Sequence, residues 1–137
     1  MSHTSGARHE TGETVEHPDP AADNLGRYLL APAALTPDKA AVIEADATGA
    51  LTEVTYRQLA ALVDRYTRAL EPLGLDVGDR VVVEAHPSAA AVAMLLACSR
   101  LGLPFVPVSP QTPDSRLLAI CRSVEPALHA RADTLGR

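Results

Sequence analysis

The feature that most constrains this fold is a run of three valines, Val81–Val83, inside the segment Arg80–Ala85. A continuous run of β-branched residues is typical of a strand covered on both faces, as in parallel sheets. The next segment runs from Ser88, a candidate helix cap, to about Leu101 and is apolar on nearly every side. A helix that is apolar all round must be buried all round. The two segments together predict the centre of an α/β core.

The segments on either side of the valine run alternate between strand and helix. The patterning predicts a strand at Pro104–Val108, a helix at Asp114–Val124 and a last strand at Ala127–Ala132. Before the run, Ala40–Ala45 and Leu51–Val54 are predicted to pair as a hairpin. This alternation indicates an α/β fold with a mostly parallel sheet flanked by helices.

Two earlier helices have recognisable start signals. Thr55 and Gln58 fit a capping box, and an apolar face then follows at helical spacing: Tyr56, Leu59, Val63, Tyr66 and Leu70. Asn24 is predicted to cap a first helix through about Ala34, which Pro32 interrupts. The apolar set expected to bury that first helix is Leu25, Tyr28, Leu29 and Leu35.

The composition of residues 1–23 differs from that of the remainder. They hold one Arg and five Asp or Glu, and they contain no apolar run. Such a segment buries too little surface to offset the entropy of ordering, so we predict a disordered acidic tail. The three tail histidines are expected to be solvated rather than metal ligands. An ordered unit is predicted over residues 24–137.

Charge and composition narrow the classes of function. The net charge is −5 and aromatic residues make up 3% of the chain, so we expect no nucleic-acid partner. No segment reaches the roughly 18 consecutive apolar residues of a membrane span, and the N-terminus does not resemble a secretory signal. We therefore predict a cytoplasmic protein with no membrane partner. Cys98 and Cys121 lack metal or redox spacing and are expected to be buried, reduced thiols.

The valine strand and the all-apolar helix require cover on several sides. Two flanking helices and two short strands are expected to be too few to supply it. The sequence therefore predicts an incomplete domain, with a tight dimer that covers the same faces as the alternative.

Three stretches carry a resemblance to a known family. They are Val54–Leu59 (Val-Thr-Tyr-Arg-Gln-Leu), Gly78–Val81 (Gly-Asp-Arg-Val) and Leu95–Pro110, which includes Gly102 and Phe-Val-Pro-Val. In order and spacing they resemble the first core motifs of the adenylate-forming (AMP-binding) ligases. That superfamily includes acyl-CoA synthetases, luciferase-like enzymes and peptide-synthetase adenylation domains. Ser109 stands where the family usually has Asp, which leaves the subfamily open.

The resemblance implies an incomplete N-terminal part of a ligase domain over residues 24–137. It also implies ATP and Mg²⁺ for the full-length enzyme, which would activate a carboxylic acid as an acyl-adenylate. The acyl group then passes to a thiol of coenzyme A or of a carrier protein. The family's Ser/Thr/Gly-rich phosphate loop is not found in this sequence, and Lys39, the sole lysine, matches neither family lysine. The chain alone is therefore expected to bind no cofactor and to be inactive.

On this basis no catalytic, cofactor-binding or metal-binding residue is assigned. His86 alone has a positional argument for a site, because it follows the carboxyl end of a predicted strand, where α/β proteins place ligands. A plain loop histidine is the alternative. His129 is expected to be a strand residue.

Three hypotheses follow. The first is a partial ligase, poorly soluble because a valine-rich strand edge is exposed. The second is a split-enzyme subunit that completes a partner carrying the ATP loop. The third is a non-catalytic α/β binding module. Co-purification with a partner distinguishes the second, and a stable fold as a lone monomer favours the third.

Overall fold

The computed structural model describes residues 24–131 of the chain. The elements in chain order are helices α1 (Leu25–Leu30) and α2 (Pro32–Leu35), strands β1 (Ala40–Ala45) and β2 (Leu51–Thr55), helix α3 (Tyr56–Leu70), a 3-10 turn at Glu71–Leu73, strand β3 (Val81–Glu84), helix α4 (Ala89–Arg100), strand β4 (Phe105–Val108), helix α5 (Asp114–Val124) and strand β5 (Leu128–Arg131). The helices and strands expected from the sequence are present. The tail predicted for residues 1–23 lies outside the described residues.

The strands form two sheets. The parallel sheet has the order β4-β3-β5, and β1 pairs with β2 in a separate antiparallel sheet. This confirms the predicted α/β class. The chain crosses from β3 to β4 through α4 and then back past β3 to β5 through α5, in the opposite direction along the sheet. Right-handed connections therefore place α4 and α5 on opposite faces of the parallel sheet.

The core lies on the α4 face of this sheet. Val81 and Val83 pack there with α4 and with the buried face of α3, and Val81, Val82 and Val83 are all 0% exposed. Along α4, only Arg100 is exposed, which confirms the burial expected of an all-apolar helix.

The expectation that the chain is too small to cover these elements is wrong. Within residues 24–131, strand β3 is central, with β4 and β5 on its two sides, so the strand of three valines does not form a sheet edge. Helices α1 and α3 both pack on α4. The sheet edges belong instead to β4 and β5.

Helix α1 buries a different face from the one expected. Leu25, Tyr28, Leu29 and Leu35 point outward and are 43–85% exposed. The buried residues are Gly26 and Leu30. A Cβ atom on Gly26 would lie 2.9 Å from the carbonyl oxygen of Leu96, so only glycine lets α1 approach α4 this closely. The expected cap and break are confirmed, because the Asn24 side chain accepts from Gly26 and Arg27 and the helix breaks before Pro32.

Helix α3 begins at the predicted capping box. The Gln58 amide donates to Thr55 Oγ1 at 3.2 Å, and the Thr55 amide donates to Gln58 Oε1 at 2.8 Å. Leu59, Val63, Tyr66 and Leu70 are buried, as the periodicity predicted. An ion pair between Arg100 and Asp64, with the nitrogen and oxygen 2.5 Å apart, joins the surfaces of α4 and α3.

The β1–β2 hairpin is attached to the core by one face and by one carboxylate. Val42 and Val54, which are opposite in the register, pack against the core. Glu44 accepts a hydrogen bond from the Ala89 amide at the start of α4. At the tip, hydrogen bonds from the Thr48 hydroxyl and from the Thr48 and Ala50 amides lower the pKa of the Asp46 carboxyl.

Helix α5 is the least covered helix of the parallel sheet. None of its residues is buried, and Leu118 is 56% exposed. Cys121 is only half-buried, which corrects the expectation of two buried thiols. Within residues 24–131, no helix combines the length and apolar character that crossing a bilayer requires.

Candidate functional site

The carboxyl ends of the three parallel strands meet at one edge of the sheet. β3 ends at Glu84, β4 at Val108 and β5 at Arg131. Ligands of open α/β sheets bind outside this edge. A cleft of about 250 Å³ opens here, and its lining includes Glu84, Ala85, His86, Ser88, Pro110 and Arg131. This edge is the candidate functional site.

His86 lies in this cleft, where its position in the sequence predicted a site. It is exposed and belongs to the loop between β3 and α4. The preceding residue is held in place, because the Ala85 amide donates to the Val108 carbonyl oxygen at 3.1 Å. That backbone hydrogen bond fixes the point at which the loop leaves the sheet. A catalytic or binding role for His86 stays a prediction.

The sequence did not predict a contact between Glu84 and His129. Glu84 Oε1 lies 2.7 Å from His129 Nε2, and the two side chains are 20% and 38% exposed. His129 is a strand residue, as expected, and pairs in register with Val82. The signal for the contact is the strand period of two, which puts Val82, Glu84 and His129 on one face of the sheet. A carboxylate that holds an imidazole in this way fixes the orientation of the ring.

The amides that begin α4 lie next to the cleft and could in principle hold a phosphate group. The chain itself uses two of them. Ser88 Oγ accepts from the Ala91 amide at 3.2 Å, and the Glu44 carboxylate accepts from the Ala89 amide. A carboxylate at this helix end opposes the approach of another anion. The described residues therefore do not fit a phosphate cradle at α4.

Metal-binding groups do not gather at the edge either. Across residues 24–131, no three His, Cys, Asp or Glu side chains lie close enough to hold a metal ion. That the chain contributes no catalytic or cofactor ligand stays a prediction.

Lys39 and Cys98 lie away from this edge. Lys39 precedes β1, and its carbonyl oxygen accepts from the Tyr56 amide at 3.0 Å. Cys98 lies inside α4, where burial raises the pKa of its thiol to about 11. Neither residue lines the cleft.

A second, shallower cleft lies between the loop after β4 and helix α5. Its volume is about 450 Å³, and Ser109, Gln111, Thr112 and Arg116 are among its lining residues. The Thr112 amide donates a hydrogen bond to the Ser109 carbonyl oxygen at 2.9 Å, which closes a turn in the loop. Arg116 is exposed and supplies a positive charge to this cleft.

Known proteins match both the sequence and the fold. The family model described as AMP-binding enzyme matches residues 30–134. A hybrid PKS-NRPS synthetase, LUC5 of Fusarium sp, is 34% identical over 117 residues, which cover 85% of this chain and 3% of that protein. The acetyl-coenzyme A synthetase of Cupriavidus taiwanensis is 48% identical over 66 residues, which cover 47% of this chain and 10% of the synthetase.

Among solved structures, the crystal structure of IdnL1 superposes with a TM-score of 0.73 at 51% sequence identity. The match covers 88% of this chain and 24% of the IdnL1 chain. The chain thus spans about a quarter of IdnL1 and 10% or less of the two curated relatives.

Proposed function

The chain belongs to the AMP-binding enzyme family, and we propose that it serves as the N-terminal part of a ligase that activates a carboxylic acid with ATP. The observation that carries the proposal is the match of the AMP-binding enzyme model to residues 30–134, and the 48% identity with an acetyl-coenzyme A synthetase over 66 residues supports it. The three sequence motifs fall on elements of one folded unit. They begin α3, open β3 and span the end of α4 with β4.

The proposed reaction of the whole enzyme has two steps. A carboxylate oxygen of the acid bonds to the α-phosphorus of ATP, and the bond to the bridging oxygen breaks and releases pyrophosphate. A thiol then attacks the acyl carbon and AMP leaves. The name of the Cupriavidus relative supports coenzyme A as the acceptor; a carrier-protein thiol is the other acceptor of the proposal. A cytoplasmic location belongs to the same proposal.

Residues 24–131 supply a scaffold in this proposal, and the phosphate and magnesium ligands come from elsewhere. The reason is that Ser88 and Glu44 already accept hydrogen bonds from two of the amides at the start of α4. Phosphoryl-transfer chemistry needs free amide or cationic groups around the phosphates and a fixed magnesium ion. The chain on its own is therefore proposed to be inactive, and its carboxyl edge to form one wall of the complete site.

A second candidate function is a module that folds alone, as a split-enzyme subunit or as a non-catalytic binding domain. The observation that favours it is the closed core, in which all three valines of β3 are fully buried by the chain's own elements. A cooperative unfolding transition of the purified monomer supports this candidate. Aggregation at all concentrations contradicts it.

The test of the proposed function compares the purified chain with a chimera. In the chimera, residues 24–131 replace the matched stretch of IdnL1, so that the remainder of IdnL1 supplies what this chain lacks. We expect ATP–pyrophosphate exchange from the chimera and none from the chain alone. IdnL1 itself is assayed beside the chimera, so that its own exchange activity is known. Exchange by the purified chain alone contradicts the proposal that the chain is inactive by itself. Exchange by IdnL1 but not by the folded chimera contradicts the ligase function.

A further inference from the structure

Strand β1 places a carboxylate at the start of a distant helix. The side chain of Glu44 accepts a hydrogen bond from the amide of Ala89, the first residue of α4, which lies 45 positions further along the chain. The first amides of a helix have no intrahelical acceptor. Ser88 satisfies another of them locally, since its Oγ accepts from the Ala91 amide. The start of α4 is therefore capped twice, once by its own N-cap residue and once by a residue of a separate sheet.

Glu44 reaches α4 because it lies on the inward face of the hairpin. Side chains two positions apart on a strand point to the same side, so Glu44 shares a face with Val42, which packs against the core. The register pairs Val42 with Val54 and Glu44 with Thr52. Position 44 continues this inward face towards the hairpin turn, and the chain places a half-buried carboxylate there. A carboxylate at such a position needs a polar partner, and the Ala89 amide supplies it.

The two ends of the hairpin are held in different ways. At the open end, β2 runs directly into α3, and the Tyr56 amide donates to the Lys39 carbonyl oxygen at 3.0 Å. Towards the turn, the Glu44 carboxylate ties the hairpin to α4. A two-stranded sheet is only marginally stable by itself, and within residues 24–131 these two strands form a sheet of their own. The position of the turn end relative to α4 therefore depends on the Glu44 contact.

The helix end that Glu44 caps also forms a wall of the cleft at the carboxyl edge. Ser88 and Ala90 line that cleft together with His86, and Pro87 alone separates His86 from the cap residue. Fraying of the first turn of α4 would therefore move the loop that carries His86. A side chain that caps this turn opposes the fraying and so also fixes the cleft wall.

We propose that Glu44 is a latch that couples the β1–β2 hairpin to the cleft. When the contact is made, the turn end of the hairpin and the loop before α4 are ordered together, and when it breaks both gain freedom. Coupling between two parts of a protein is reciprocal, so loosening of the first turn of α4 also loosens the hairpin. Glu44 is thus a positioning residue that acts on His86 through α4 and the loop. The inference goes beyond the proposed function and does not depend on it.

The test follows backbone amides of the purified full chain by hydrogen exchange and NMR relaxation. In Glu44→Ala, the amides of the β1–β2 ladder and of Ala89 should exchange at least about fivefold faster relative to the amide of Val82. Val82 is 0% exposed in the central strand, so its amide reports global unfolding. The order parameter of the His86 amide should fall in the same variant. Glu44→Gln keeps an oxygen acceptor and should restore most of the protection.

Two further variants separate a latch from a simple cap. Ser88→Ala removes only the local cap, yet reciprocity predicts faster exchange in the hairpin ladder as well. Glu53→Ala is the matched control, because it truncates an exposed glutamate on the opposite face of the same hairpin, and it should leave the hairpin, α4 and His86 unchanged.

Three outcomes overturn the latch. They are faster exchange confined to the Ala89 amide in Glu44→Ala, an unchanged hairpin in Ser88→Ala, and equal effects of Glu53→Ala and Glu44→Ala. If Glu44→Ala does not fold, the exchange of the hairpin ladder in Ser88→Ala decides alone.

Discussion

The guanidinium group of Arg80 closes the C-terminal end of α5, where its Nε donates to the carbonyl oxygen of Val124 at 2.7 Å. Its Nη2 donates to the carbonyl oxygen of Glu125 at 2.8 Å. The last carbonyls of a helix lack intrahelical partners, and a cation there interacts favourably with the helix dipole. Arg80 directly precedes β3, so this motif residue joins α5 to the central strand.

We expect Arg80→Met to lower the free energy of unfolding by about 1–3 kcal/mol, since it removes charge-assisted hydrogen bonds. Arg80→Lys should recover part of the loss, because lysine keeps the positive charge but cannot donate to both carbonyl oxygens with the planar geometry of a guanidinium group. Urea denaturation of the purified chain measures both. Arg116→Met, at an exposed position of the same helix, is the control and should change stability by less than about 0.5 kcal/mol. Equal losses at the two positions contradict the capping role.

A comparison of Gly26 with Leu29 tests which face of α1 is buried. Alanine is the better helix former by about 1 kcal/mol, yet Gly26→Ala should destabilise the chain by about 1–3 kcal/mol. Its Cβ would lie 2.9 Å from the backbone oxygen of Leu96 and 3.2 Å from Arg100 Cγ. Leu29→Ala removes a larger side chain that is 43% exposed and should cost less. Thermal unfolding of both variants ranks them, and the reverse order supports the face expected from the sequence.

The features that the sequence predicts correctly are encoded within a few residues of the chain. The Thr55–Gln58 capping box, the Ser88 cap and the break before Pro32 depend on neighbours three or four positions away. The face of α1 depends instead on a distant helix. Asn24 Nδ2 donates to the Ser99 carbonyl oxygen at 2.7 Å across 75 positions of sequence, and no periodicity of a six-residue helix contains that information.

The candidate site was predictable only in part, for the same reason. The position of His86 follows from a local rule about strand ends, and the structure places it in the cleft. The contact of Glu84 with His129 spans 45 positions and requires β5 to lie beside β3. The order β4-β3-β5 was not derivable from the alternation of elements, which fixes only that the strands are parallel. That same order explains why the valine strand is covered.

The two cysteines should differ in reactivity. Burial inside α4 raises the pKa of the Cys98 thiol to about 11, so it is neutral and inaccessible at pH 8, while Cys121 is half-buried. We expect iodoacetamide to modify Cys121 at least about tenfold faster than Cys98 in the folded chain. Mass spectrometry of Cys98→Ala and Cys121→Ala variants assigns each rate, and equal rates in urea serve as the control. Faster modification of Cys98 contradicts the packing of α4.

The raised pKa of Cys98 also predicts how stability depends on pH. The thiol keeps its proton in the folded chain up to about pH 11 and loses it at a lower pH when unfolded. The contribution of the protonated Cys98 thiol to the free energy of unfolding is therefore complete below the unfolded-state pKa of 9.0. It declines as the pH rises from there towards 11. Urea titrations at pH 8, 9 and 10 should show this decline. Cys98→Ala should remove it, and a decline of the same size in that variant assigns the effect to other groups.

The role of the contact between Glu84 and His129 can be measured through stability and through catalysis. Because the two side chains are 20% and 38% exposed, solvent screens them, and a double-mutant cycle of Glu84→Gln with His129→Asn should give a coupling of about 0.5–1 kcal/mol. If the chain acts as a scaffold, Glu84→Gln in the IdnL1 chimera should change pyrophosphate exchange by less than about threefold, under 1 kcal/mol of barrier. A loss of about a hundredfold or more, without a matching loss of stability, would instead assign the pair to proton transfer. The chimera measurement therefore decides between a wall of the active site and a working part of it.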